Sequence, residues 1–161
     1  MTQPRVSTFR GPDVRSVLLP LKGGQLMLPN AAVSEVVGYR KPEQESRPAS
    51  GWFLGTQVWR QQILPLVSFE RLLGLPAEAP SRHSRVAVCN TLNGNPKLPY
   101  IGVLLHNIPR LVRASEENIA PLEPPRNLGI FVLRQVKILG EEAWIPDLDA
   151  LERAVQSLVG G

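Results

Sequence analysis

The sequence predicts an all-β protein made of two small-barrel lobes around a shared apolar core, with short helices and a closing C-terminal helix. Three observations carry this. Sixteen prolines and thirteen glycines in 161 residues cut the chain into short elements, which favours strands over a helical bundle. The apolar runs are short and recur every ~8–12 residues, the spacing of small barrels. One pattern also occurs twice. Gln62-Ile63-Leu64-Pro65 leads into Phe69-Glu70-Arg71, and Ala143-Trp144-Ile145-Pro146 leads into Leu151-Glu152-Arg153. Both read as strand, proline, spacer, helix, so two lobes of one topology are expected.

The elements follow in order. Residues 1–13 carry Pro4, Gly11 and Pro12 and little apolar content, and are expected to be a flexible tail ahead of one domain over 14–157. The first strand is Arg15 to Leu21. Lys22-Gly23-Gly24-Gln25 is a hairpin turn, because Gly-Gly accepts the positive φ such turns need, and Leu26 to Pro29 returns. Asn30 is placed to cap one helical turn over Ala31-Ala32-Val33, and Glu35 to Tyr39 is a third strand. Residues 40–51 are charged and proline-bearing, hence a loop.

From Trp52 to Leu73 the pattern predicts strands near Gln57–Arg60 and Ile63–Val67 joined by a polar turn at Gln61-Gln62. Ser68 then caps a helix over Phe69 to Leu73 that Gly74 and Pro76 stop. Residues 76–83 are a linker. The second half has strands at Arg85–Leu92, Tyr100–Leu105, Ile108–Val112, Gly129–Leu139 and Ala143–Ile145. A turn at Asn93-Gly94-Asn95-Pro96 and a loop over 114–127 separate them. Asp147 caps a last helix, Leu148 to Leu158, with Leu148, Leu151, Val155 and Leu158 at helical spacing. The lobes are expected over roughly 14–75 and 84–146, with the closing helix over 147–158.

Composition excludes several classes. The net charge is +4, but Arg5, Arg10, Arg15, Arg82, Arg85, Arg110 and Arg113 are scattered, without the basic stripe and stacking aromatics of nucleic-acid binding. The one cysteine, Cys89, forbids an internal disulfide and fits a reducing compartment. The first thirteen residues lack the apolar core of a signal peptide. No apolar run approaches the ~18–20 residues of a membrane span, so a cytosolic chain without direct membrane insertion is expected.

Catalytic chemistry finds little support. A dyad of Cys89 and His106 would make a small β-barrel hydrolase or transferase, the rival reading. A nucleophilic cysteine needs an electropositive, partly exposed site, whereas Cys89 lies in Val86-Ala87-Val88-Cys89. Two histidines and one cysteine make no zinc site without carboxylates at ligand spacing. No phosphate-binding loop, nucleophile elbow or dinucleotide fingerprint is present. The pairs Glu116-Glu117 and Glu141-Glu142 lie in turns and read as solvated. No catalytic residue, metal or cofactor is therefore expected. What remains is surface: Arg60 at a hairpin tip among Val58, Trp59 and Ile63, with five donors in a fixed plane suited to a partner's carboxylates and carbonyls. Trp144 reads as core; Trp59 suits core or interface.

Ordered landmarks then resemble one family. They are Leu18-Leu19-Pro20-Leu21 with the Gly-Gly hairpin, Val33-Ser34-Glu35-Val36-Val37, Phe53-Leu54-Gly55 through Val58-Trp59-Arg60, Ile63-Leu64-Pro65-Leu66-Val67, and Ile101-Gly102-Val103-Leu104-Leu105 followed by Ile108 and Leu111. From about Ser16 to Val155 the chain resembles the CheW family of adaptors, which couple chemoreceptors to the CheA histidine kinase. The resemblance implies two SH3-like five-stranded barrels on a shared apolar core and no enzymatic activity. It also implies two partners, the regulatory domain of a CheA-type kinase and the cytoplasmic tip of a methyl-accepting chemoreceptor, and hence recruitment to membrane-associated receptor arrays. Carried over position by position, it assigns protein contact to Arg60, Glu35, Val33, Val36, Gly55, Val86, Gly102, Ile108 and Leu111.

The departures point to a branch. Val58 stands for the family asparagine before the Leu-Arg pair, Gln61 for the glycine after it, Ser68 for an aspartate, and His106-Asn107 for an Asp-Gly pair. Gln61 enters the left-handed region less easily than glycine, so the turn at Arg60 is expected to differ. Leu18-Leu19-Pro20-Leu21, Leu28-Pro29-Asn30 and Pro65-Leu66-Val67-Ser68-Phe69-Glu70 are similar to the ChpC-type adaptors of systems controlling type IV pili and twitching. A fragment of a larger kinase or scaffold is a third reading, less favoured than a free-standing chain.

Overall fold

Alternating and fully apolar runs form twelve strands among the described residues, 14–46 and 51–159 of a computed structural model. The expected tail at 1–13 and the Gly160-Gly161 end lie outside them. The first sheet contains β1 (Val14–Leu21), β2 (Gly24–Pro29), β9 (Arg110–Ala114), β10 (Ile119–Pro121), β11 (Val132–Ile138) and β12 (Glu141–Pro146), in the order β10-β11-β12-β2-β1-β9. The second contains β3 (Val33–Gly38), β4 (Gln44–Glu45), β5 (Phe53–Trp59), β6 (Gln62–Val67), β7 (Arg85–Asn90) and β8 (Tyr100–Leu105), in the order β3-β7-β8-β6-β5-β4. Helix α1 (Phe69–Leu72) follows β6, and α2 (Leu148–Val159) follows β12.

The two-subdomain β fold with a closing helix is as the sequence predicts, with two differences. Each sheet has six strands, because β4 and β10 are two- and three-residue strands inside segments read as loops. The strands are also shared out differently from lobes at 14–75 and 84–146. The second sheet takes residues 33–105 without a break, while the first joins the N-terminal hairpin to the C-terminal quarter. The cause is the seam of each sheet. Trp144 of β12 pairs in parallel with Leu26 of β2, as Leu66 of β6 pairs in parallel with Gly102 of β8. Parallel neighbours need a long crossover, so β2 is free to find a partner far along the chain.

The two sheets carry one pattern. Strands β5 and β11 have seven residues, and β6 and β12 have six, each starting 79 positions after its counterpart. Ser68 N–H bonds Trp52 O, and Asp147 N–H bonds Phe131 O, both at 2.8 Å. Ser68 and Asp147 then cap their helices through Arg71 N–H and Ala150 N–H. The repeat is real, but its register aligns Pro65 with Trp144 and not with Pro146. Pro65 does not end its strand: β6 runs on to Val67. Asn30 opens a 3₁₀ turn over Asn30–Ala32 but makes no side-chain cap bond.

Three apolar clusters follow. Leu18, Met27, Ala114, Val136, Ile138 and Ala143 fill the interior of the first lobe. Leu64, Leu66, Val86 and Val88 fill the second. The largest cluster, with Leu19, Leu26, Val67, Phe69, Ala87, Val103, Trp144, Leu151 and Val155, lies between the sheets and joins them. Trp144 is fully buried, as expected, and its ring fills the space over Gly24, where an added Cβ would come within 2.3 Å.

Glu70 on α1 and Glu152 on α2, which lie three positions out of register in the 79-residue repeat, are both buried. Glu70 on α1 accepts Lys22 N–H, in the turn of the β1–β2 hairpin. Glu152 on α2 accepts Leu92 N–H at 2.9 Å, in the β7–β8 connection two residues past the end of β7. Each helix therefore reaches from its own lobe to a hairpin of the other. A hydrogen bond to a charged group contributes ~1.5–3 kcal/mol net, and an orphaned buried donor costs ~1–3 kcal/mol. Glu152→Ala is expected to lower unfolding stability by about 1–3 kcal/mol, and Glu152→Gln, which keeps an acceptor, by less than half of that loss. Urea unfolding checks this, and equal losses for the two variants would remove the hydrogen bond as the cause.

Candidate protein-docking site

The β5–β6 hairpin turns at Arg60 and Gln61, one residue earlier than the sequence suggests, with Trp59 paired to Gln62. Both turn residues have positive φ, +49° and +64°. This is the twist a two-residue hairpin needs, reached here without glycine. Left-handed backbone costs an L residue ~1–2 kcal/mol, so side-chain contacts must hold the turn. Glu35 Oε1 on β3 supplies them, accepting Trp59 Nε1 at 3.0 Å and lying 3.2 Å from an Arg60 terminal nitrogen. The Arg60 guanidinium lies 5.0 Å from the Trp59 ring centre, and Tyr100 meets that ring edge-on at 4.9 Å. Arg40 also donates to Val58 O at 3.1 Å. Because β3 and β5 are not neighbours in the sheet, the Glu35 contacts also close the barrel.

The tip presents chemistry suited to a protein partner. Arg60 is 68% exposed at its side chain. Beside it the cross-strand pair Val58 and Ile63 is 48% and 69% exposed. A planar cation next to two exposed aliphatic side chains matches the composition of interface hot spots.

The nine residues carried over from the family separate into three groups. Arg60 and Glu35 form the tip, and Val36 is exposed on the opposite face of β3. Val33 packs half-buried against the core between the lobes, while Ile108 and Leu111 stand 60% and 76% exposed beside the first sheet. Val86, Gly102 and Gly55 are interior, which corrects the expectation that they touch a partner. Val86 is fully buried, and a Cβ on Gly102 would come within 2.9 Å of Val86 Cγ1 and 3.1 Å of Leu64 Cδ2. Gly55 has φ +132°, and a Cβ there would lie 2.2 Å from Gln44 O. These three set barrel packing, so they reach a partner only through the shape of the surface.

Sequence reading named Ile63 beside Arg60 but missed Tyr100 as a member of the tip, and the cavity beside Leu111. The cavity encloses about 350 Å³ where β1 and β9 meet the turn into β3, and is lined by Arg15, Ser16, Asn30, Leu111, Val112 and Arg113. In the sequence, Arg15 and Arg113 looked like isolated surface arginines.

The candidate catalytic groups are occupied elsewhere. Cys89 is buried in β7, its Sγ 3.7 Å from Ala87 O, and burial pushes the thiol up to about 12. His106 Nε2 lies 2.9 Å from Glu78 Oε1, and Lys22 Nζ bonds the other oxygen of that carboxylate. Lys22, by that hydrogen bond and its charge, holds the Glu78 carboxyl below its ordinary value. Glu141 pairs with Arg110 at 2.6 Å, and Glu142 accepts Trp144 Nε1. Among the described residues no group of His, Cys, Asp and Glu could hold a metal ion, and no helix is long and apolar enough to cross a membrane.

A family model described as CheW-like domain matches residues 15–156. Among solved structures, the scaffolding protein TtCheW from Thermoanaerobacter tengcongensis is similar, with a TM-score of 0.72 over 90% of this chain and 91% of that one, at 18% identity. No curated protein matches the chain.

Two measurements test these assignments. Gly102→Ala is expected to cost about 1–3 kcal/mol through overpacking, whereas Arg60→Ala, at an exposed tip, should shift urea unfolding by under about 1 kcal/mol. Comparable losses would erase the division between packing and contact residues. Cys89 should resist a thiol reagent such as DTNB at pH 8 in the native protein and react fully once unfolded. Rapid native labelling would restore the hydrolase reading.

Proposed function

The chain belongs to the CheW-like domain family, and on that premise we propose that it is a non-catalytic chemosensory adaptor. In this reading it joins the cytoplasmic tip of a methyl-accepting chemoreceptor to the regulatory domain of a CheA-type histidine kinase. One observation carries the reading: the hairpin tip holds an exposed Arg60 in place through Glu35 and Trp59, beside exposed Val58 and Ile63. An adaptor needs such a preformed surface, because a rigid contact loses less freedom when a partner binds. The fully buried thiol of Cys89 counts against the hydrolase alternative.

The finer assignment is to an auxiliary adaptor of a pilus and twitching pathway, acting in the cytoplasm at receptor arrays. The replacements at the tip support it. Val58 puts an aliphatic side chain where the family pattern has asparagine, and Gln61 makes the turn without glycine. The surface thus keeps its arginine but is more apolar and stiffer around it, which fits a partner different from that of a flagellar adaptor.

In pull-downs, the folded chain should retain both a receptor cytoplasmic hairpin and the kinase regulatory domain. Arg60→Ala and Ile63→Asp should weaken one of these by on the order of tenfold or more without changing the thermal melt. Binding to neither partner would sink the adaptor reading. Deleting the gene should abolish twitching and spare swimming; the reverse pattern would remove the pilus assignment.

A further inference from the structure

The parallel seams also set how one lobe maps onto the other. Leu66 lies beside Gly102, which pairs with Val88. Ile145, the counterpart of Leu66 79 positions on, follows Trp144, which lies beside Leu26. Met27, the residue after Leu26, pairs with Leu18. Val88 and Leu18 are thus equivalent, and so are Ser84 and Val14, four positions before each. The flanks agree. Ser84 O accepts Tyr39 N–H at 3.3 Å beside the pair Gly38–Arg85, as Val14 pairs with Ala114 beside Arg15–Arg113.

Leu54 and Leu133 are equivalent as well. Each stands at the register shift of its strand, in β5 between Phe53 and Gly55 and in β11 between Val132 and Arg134. Leu54 is half-buried against the interior of the second lobe, whereas Leu133 is 62% exposed. A cavity lies beside each. The one beside Leu54 encloses about 140 Å³, and Glu78 and Pro80 of the linker 76–83 form part of its wall with Tyr39 and Pro42. The one beside Leu133 encloses about 310 Å³, with Pro121, the counterpart of Pro42, in its wall. Among the described residues its lining comes from β10, β11 and the loop between them, with no segment in the place of Glu78 and Pro80.

The linker runs into β7 at Arg85, and residues 1–13 run into β1 at Val14. Counting back equally from Ser84 and Val14 sets Thr8, Phe9 and Arg10 level with Glu78, Ala79 and Pro80. Phe9 is the one aromatic residue of that segment. We propose that residues 6–11 lie across the cavity beside Leu133 and seat the Phe9 ring on that leucine. The occupant is the chain's own segment because it enters its sheet at the position from which the linker covers the other cavity. Tethering adds to this, since an attached segment meets its site at an effective concentration in the millimolar range. The ring brings a large apolar surface to the larger and more open of the two cavities. The contact gives the first lobe the cover that the second takes from its linker. It also shields β10, the edge of the first sheet, in the way that loops commonly protect edge strands from pairing with another chain.

The test uses the full chain, labelled with ¹³C and ¹⁵N. The Phe9 ring should show NOEs to the Leu133 methyl groups that do not change on dilution. Trypsin should cut after Arg10 on the order of tenfold or more slower than in a synthetic peptide of residues 1–13, because cleavage tracks the open population. Phe9→Ala and Leu133→Asp should each remove the NOEs and raise the cutting rate to that of the peptide. Both changes fall at exposed or terminal positions, so the amide spectrum of β1 to β9 should stay as it is.

Cutting of the unmodified chain at the peptide's rate, or Phe9 NOEs to another face, would overturn the proposal. So would protection at Arg10 that neither variant removes. Contacts that fade on dilution would assign the cavity to the segment of a second copy and overturn it too. The same holds if a receptor hairpin or kinase regulatory domain shifts the amides of 132–136 equally in the unmodified chain and in Phe9→Ala, because the face then belongs to a partner. None of these results bears on the adaptor function, which stands or falls by the pull-downs.

Discussion

Two buried glutamates tie the lobes together, and much of the architecture depends on where they reach. Glu70 sits on the helix after β6 and holds Lys22 N–H of the first lobe, while Glu152 sits on the helix after β12 and holds Leu92 N–H of the second. Burying a carboxylate costs several kcal/mol, more than a single hydrogen bond of ~1.5–3 kcal/mol returns. Their contribution is therefore directional. A backbone donor at one point of a hairpin can satisfy each carboxylate, so the lobes meet in one orientation, whereas the apolar layer between them would tolerate several.

That orientation has a topological counterpart. The first lobe is completed by strands from both ends of the chain, because β2 pairs in parallel with β12. The second lobe is continuous and shows the same succession, edge strand, short strand, hairpin, helix, hairpin. The N-terminal hairpin thus fills in the C-terminal lobe the place that β7 and β8 fill in the other. Phe69, Trp144 and Leu151 then meet in one cluster, and burying each such side chain contributes ~1.5–3 kcal/mol. The two barrels share this layer, so loosening one exposes apolar surface of the other.

The β5–β6 hairpin tip depends on the same closure. Arg60 and Gln61 hold backbone that favours glycine, and Glu35, which stabilises that turn, comes from β3 at the far edge of the sheet. Residues buried inside the barrel still shape the tip. Gly102 on β8 leaves room for the side chains of Val86, Leu64 and Leu66, and Gly55 lets β4 lie against β5. A family contact pattern read from sequence alone mixes these roles, because packing and contact both restrict which residue a position accepts.

By itself the sequence determined the class of fold, most strand positions and both helix starts. These follow from local physics: alternation that buries one face, Gly-Gly at the β1–β2 turn, and Ser68 and Asp147 offering oxygens to free helical N–H groups. It also marked Arg60 as a polar tip among apolar neighbours and Trp144 as core. Tertiary structure alone decided which strands share a sheet, that Glu35 stands under Arg60, that Val86 and Gly102 face inward, and that Arg15 lies opposite Arg113. The reason is range. Caps and turns are settled within a few residues, whereas the parallel seams of β2 with β12 and β6 with β8 carry no signal of their own in the strands they join, and appear only when the apolar layer between the lobes closes.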